Sequence, residues 1–96
     1  MEFETEVELD LGQTALAGRT ADISQGGAFV VVDPVPSVGT RLDLLIGLPG
    51  VPDTCRIPSI VRWAQVDRGL GLQFERLRPI EVWAINRILR SAAIPA

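Results

Sequence analysis

The sequence predicts a mainly β domain: a small closed or nearly closed barrel of six strands, followed by one helix. Three observations carry that reading. Residues 2–11 alternate apolar and acidic with a period of two, the pattern of a half-buried strand. Segments rich in β-branched and aromatic residues then recur at roughly ten-residue spacing with polar, Gly- or Pro-containing turns between them, as in small sandwiches and barrels. After Pro79 the apolar spacing changes to that of a helix.

The first strand spans 2–11, with Phe3, Thr5, Val7, Leu9 and Leu11 on one face and Glu2, Glu4, Glu6, Glu8 and Asp10 on the other. Gly12-Gln13 turns the chain into a second extended run, 15–23. A polar turn follows, and 28–32 is the third strand, built of residues that favour sheet. Two prolines in Asp33-Pro34-Val35-Pro36-Ser37-Val38-Gly39 remove two ladder donors, so a loop is expected there. In 40–48, Leu42, Leu44, Ile46 and Leu48 share a face. After the turn Pro49-Gly50-Val51-Pro52-Asp53, the fifth strand, 54–66, places Cys55, Ile57, Val61 and Trp63 inward and Arg56 and Arg62 outward. Pro58 in that strand suggests an edge or a bulge. Asp67-Arg68-Gly69 reverses the chain into the sixth strand, 69–74, where Gly71 suggests a close backbone approach.

Pro79 is the expected first helical residue, because the proline ring suits that position. At ~100° per residue, Val82, Ile85, Leu89 and Ala92 form one stripe with Ile88 at its margin, and this stripe should dock on the barrel. Trp83 falls on the far side, beside Arg87 and Arg90, where it is either an anchor for a partner or is used within the chain, folded over the barrel mouth or stacked on Arg87. Ile94-Pro95-Ala96 is expected to be a loose end.

Composition bounds the function. A chain of 96 residues is read as a single domain over 1–96, with one cysteine and therefore no internal disulfide. There is no apolar run of the ~20 residues a membrane span needs, and the start is acidic where a secretion signal is basic, so a cytoplasmic protein without membrane insertion is expected. Net charge is −3 without a single lysine, which argues against a nucleic-acid partner. Zero histidines remove the commonest general base and metal ligand, so neither a Ser-His-Asp site nor a zinc site is expected. The twelve acids read as solvated surface and Cys55 as packing; no catalytic residue and no metal are assigned.

One stretch is spent on something other than a core: Asp22-Ile23-Ser24-Gln25-Gly26-Gly27. Short side-chain oxygens can bond nearby backbone N–H groups, while the glycines can take positive φ or admit another backbone closely. The spacing Asp-x-Ser-x-x-Gly, followed by Ala28-Phe29-Val30, resembles the second signature motif of PilZ domains, bacterial receptors for cyclic di-GMP. The resemblance runs from about Phe3 to Leu89 and includes Gly69-Leu70-Gly71-Leu72-Gln73-Phe74 and the terminal helix. It implies a six-stranded antiparallel barrel with a C-terminal helix. It also implies that Asp22, Ser24 and Gly27 stand where the family contacts a guanine edge, with Arg19 a possible phosphate contact.

The family's first motif, Arg-x-x-x-Arg, does not stand at the start of the first strand, where this sequence reads Met1-Glu2-Phe3-Glu4. Guanidinium forks match phosphates bidentately, whereas carboxylates repel them. The expectation is therefore a degenerate PilZ-like module without enzymatic activity or cofactor. It would act by binding another protein through Trp83, Arg87 and Arg90, with cyclic di-GMP binding lost or very weak. Such degenerate members are associated with type IV pilus assembly and surface motility, and the resemblance implies a partner from such a pathway. The alternative is a true cyclic di-GMP receptor using Asp22, Ser24 and Gly27.

Overall fold

A computed structural model describes residues 1–93, with side chains to Ser91, so the end at Ile94-Pro95-Ala96 and the side chain of Ala92 lie outside the described residues. Six strands are followed by one helix: β1 (Glu6–Asp10), β2 (Ala15–Ile23), β3 (Gly27–Val32), β4 (Arg41–Ile46), β5 (Cys55–Gln65), β6 (Gly69–Phe74) and α1 (Pro79–Ala93). The strands close into an antiparallel barrel in the order β1-β2-β3-β6-β5-β4. Inward residues of every strand form one core, among them Leu9, Ile23, Val30, Leu44, Ile57, Val61 and Leu70, and Ala84, Ile85 and Ile88 of α1 join it. Helix and barrel thus share one apolar interior.

The first strand is shorter than its alternation predicts. Residues 2–5 keep the alternating burial, but Thr20 interrupts the ladder. Its buried hydroxyl donates to the Phe3 carbonyl at 2.6 Å and accepts from the Thr5 N–H at 3.0 Å. Beyond it the N-terminal segment continues along β2 through Phe3 N–H to Ala21 carbonyl (3.2 Å), Ile23 N–H to Met1 carbonyl (2.8 Å) and a bridge between Glu2 and Asp22.

The fifth strand corrects two expectations. Pro58 is not at a free edge, since β5 has neighbours on both sides; it pairs with Asp43, lies just past the last β5–β6 pair, and its carbonyl accepts from Glu75 N–H at 2.8 Å. The bulge falls between Val61 and Trp63 instead. An extra residue shifts the alternation by one. Trp63, expected inward, is therefore turned out and is 47% exposed, beside the exposed Arg62.

The docked face of the helix is rotated from the predicted stripe. Glu81, Ala84, Ile85 and Ile88 are buried, while Val82 and Leu89 are half-buried at the sides, so Ile88 is central rather than marginal. The displaced centre is Glu81, a polar residue that apolar counting passes over. Its carboxylate accepts from Arg78 N–H at 2.8 Å and from the Arg78 guanidinium at 3.0 Å. The first contact is the reach-back half of a capping box, satisfying a donor at the helix start. Glu81 also departs from the expectation that all the acids are solvated surface.

Candidate functional site

The turn between β2 and β3 is closed by its own atoms. Ser24 N–H donates to the Gly27 carbonyl at 2.8 Å, and Ser24 Oγ lies 3.3 Å from both Gly27 N and O. Asp22 contributes no side-chain hydrogen bond among the described residues and is exposed. Gly27 is needed for close approach rather than for positive φ. A Cβ at that position would stand 1.9 Å from the Leu72 carbonyl oxygen of β6. The turn is also tied to its surroundings: Phe74 N–H donates to the Gly26 carbonyl at 2.8 Å, and the Gln25 amide donates to Asn86 of the helix.

Asp22, Ser24 and Gly27 line one open groove of about 310 Å³, together with Phe29, Arg62, Trp63 and Gln73. Its floor follows from the register. Phe29 pairs with Gly71 and Gly71 with Trp63 across three adjacent strands. Because Gly71 has no side chain, the indole lies over it, and a Cβ there would meet Trp63 Nε1 at 2.2 Å. Gly71 thus marks the approach of a side chain, not the backbone approach expected. The two aromatic rings stack across it with centroids 5.2 Å apart and an interplanar angle of 17°. Arg62 Nε donates to Gln73 Oε1 at the groove wall.

Sequence reasoning missed Phe29, Arg62, Trp63 and Gln73 as groove residues. The available signal was the Phe29-Gly71-Trp63 alignment, but it emerges only once the bulge in β5 is placed. Arg19 lies elsewhere. It pairs with Glu6 on β1 and Val31 on β3 and lines a separate recess with Asp33, Asp67 and Arg68. The Glu2–Asp22 bridge makes two carboxylates cross-strand neighbours just before the turn.

A second cluster sits on α1. Trp83 is 47% exposed, with the Arg87 guanidinium carbon 4.9 Å from the ring centroid. The indole edge and Arg87 rest against Gly50 in the β4–β5 turn, where φ is +86° and a Cβ would come within 2.9 Å of the ring. Arg90 is exposed on the same outward side of the helix. Trp83 therefore packs its edge on the barrel turn and stacks with Arg87, while the rest of the ring faces solvent.

Nothing in the described residues gathers three or more metal-ligating side chains. Cys55 is fully buried, and burial first, then the charge of Glu81, pushes its thiol pKa up, the opposite of what a nucleophile needs. No described helix is long and apolar enough to cross a membrane.

Comparison with known proteins agrees with the architecture. The model of the PilZ domain family matches residues 1–91. A similar solved structure is the PilZ domain of CeSA from a cellulose-synthesizing bacterium, with a TM-score of 0.69 and 19% identity, covering 98% of this chain and 97% of that one. No curated protein matches the chain.

Proposed function

The chain belongs to the PilZ domain family, whose members are non-enzymatic regulatory domains of cyclic di-GMP signalling, and from that premise we propose that it regulates by binding another protein, with cyclic di-GMP binding lost or very weak. The observation that carries this reading is the Glu2–Asp22 bridge. It sets the Glu2 carboxylate across from Asp22 of the groove, on the N-terminal segment where the resemblance calls for a pair of arginines. At ~4–8 Å and an effective dielectric near 20, each such charge repels a phosphate by ~2–4 kcal/mol before screening by salt. Since ~1.4 kcal/mol is tenfold in affinity, a micromolar ligand becomes millimolar.

The partner face is the outward side of α1. Trp and Arg are the side chains most enriched among interface anchors. Trp83 is held ready by Gly50 and Arg87, which lowers the entropy lost on binding. A protein of a bacterial motility or signalling pathway is the partner this reading implies.

The receptor reading has one observation in its favour: Asp22 and Ser24 share their groove with Arg62 and a stacked aromatic pair. Capture of the partner from a bacterial lysate separates the two readings. Trp83→Ala should reduce capture at least tenfold, with Asp22→Ala and Ser24→Ala leaving it unchanged. Capture that needs Asp22 and Ser24 and added cyclic di-GMP, and ignores Trp83, would overturn the proposal.

A further inference from the structure

We propose that the face bearing Trp83 is self-complementary and pairs two copies of this chain about a two-fold axis, each Trp83 entering a recess on the other copy. The recess is about 300 Å³ and is lined by Met1, Phe3, Pro49 and Ile88, with Glu2 and Arg87 also at its wall. It is mainly apolar and has room for an indole.

Knob and hole are neighbours on one face. Arg87 lies over the Trp83 ring and also borders the recess, and Pro49 of the recess precedes Gly50, against which Trp83 rests. In a two-fold contact, residue i meets residue j and j meets i. A projection and a hollow that share a rim satisfy this when the axis passes near the rim: each projection then reaches the other's hollow.

Charge points to the same occupant. Arg87 accompanies Trp83, and among the described residues neither Arg87 nor Arg90 has a carboxylate within ion-pair distance. The knob therefore carries positive charge into a hole bordered by Glu2, with exposed Glu4 two residues along the same segment. A neutral or acidic partner would leave Glu2 uncompensated. The second copy supplies both the apolar insert and the arginine. Trp83, Met1 and Ile80, 47%, 42% and 42% exposed in the single chain, are large apolar groups on or beside this face.

This inference goes beyond the proposed function. Pairing covers the face assigned to the partner protein, so self-association and partner capture are alternatives, and a strictly monomeric chain would leave the partner reading standing. A patch this small belongs to the weak end of interfaces, with dissociation constants on the order of 10–100 μM.

Sedimentation equilibrium of the 96-residue chain from ~5 to ~500 μM, a range bracketing that constant, should show mass rising from 10.4 kDa toward twice that value. Trp83→Ala removes the knob, and Ser91→Arg, at a residue that also lines the recess, narrows the hole while keeping Trp83; each should weaken pairing at least ~10-fold. Circular dichroism checks that both remain folded. Arg87→Glu should weaken pairing, and Glu2→Arg combined with it should restore it. A wild-type mass that stays monomeric throughout, or a dimer unaffected by both Trp83→Ala and Ser91→Arg, would overturn the proposal.

Discussion

Gly27→Ala adds a single methyl group at the centre of the signature turn, and the structure says what it strikes. The new Cβ would lie 1.9 Å from the Leu72 carbonyl oxygen, 3.0 Å from its carbonyl carbon and 3.3 Å from Gln73 Cα. Ordinary C···O contacts begin at ~3.3 Å, so β3 and β6 must part by more than ~1 Å at this point. Gly27 pairs with Gln73 and Ala28 with Leu72, and neighbouring Gly26 accepts from Phe74 N–H. Parting the strands loosens about two ladder bonds at ~1 kcal/mol each and leaves their groups poorly paired, for a total of ~2–4 kcal/mol. At ~4–8 °C per kcal/mol for a domain of this size, the melting temperature should fall by ~8–30 °C. Gly26→Ala is the control. Nothing stands within 4 Å of a Cβ there and φ is not positive, so its melting should be unchanged or slightly raised. Thermal melts of both variants decide the matter. Gly27→Ala melting within ~4 °C of wild type would refute the close-approach argument, since that corresponds to less than ~1 kcal/mol. So would an equal loss in Gly26→Ala.

Thr20→Val keeps the side-chain shape but leaves the Phe3 carbonyl and the Thr5 N–H without their hydroxyl partner. The cost should be ~1–3 kcal/mol, with faster hydrogen exchange at Thr5, and slow exchange there would contradict the latch. The Arg56 guanidinium first, and the Gly12 N–H second, hold the Asp10 carboxyl below its ordinary value. Its contribution to stability is therefore present above the unfolded pKa of ~3.9 and lost as pH falls through the lower folded value. A carboxyl titration by NMR should place the Asp10 midpoint below the ordinary ~3.9 and move it upward in Arg56→Ala; an unmoved midpoint would exclude the ion pair as cause.

Most of the barrel was legible because each strand buries one face. That requirement writes period two into residues 2–11, 40–48 and 69–74, and Pro79 announces the helix. What escaped was set by single residues acting across strands. The hydroxyl of Thr20 ends β1 early, yet in sequence it is one more β-branched strand residue. The bulge after Val61 turns Trp63 outward, and nothing local to β5 fixes where an extra residue is absorbed. Glu81 sits on the docked face because Arg78 satisfies it, a pairing that hydropathy scores as an exposed polar position. The site divided similarly. Asp22, Ser24 and Gly27 were recognisable from their spacing and line one groove, whereas Arg62, Trp63, Phe29 and Gln73 reach it only through the β5 bulge and the β3-β6-β5 register. Arg19, close to Asp22 in sequence, lines a different recess because it sits farther along β2, opposite Glu6 and Val31, while Asp22 lies opposite Phe29.

The claim that the groove has the family's guanine-contacting residues without its phosphate clamp is tested most directly by titration calorimetry of the 96-residue chain with cyclic di-GMP. At physiological salt no heat of binding is expected at tens of micromolar ligand. Removing the repulsion with Glu2→Gln should leave binding still weak, because no arginine pair is gained. A dissociation constant below ~10 μM for the wild-type chain, corresponding to more than ~6.8 kcal/mol of binding free energy, would contradict the account.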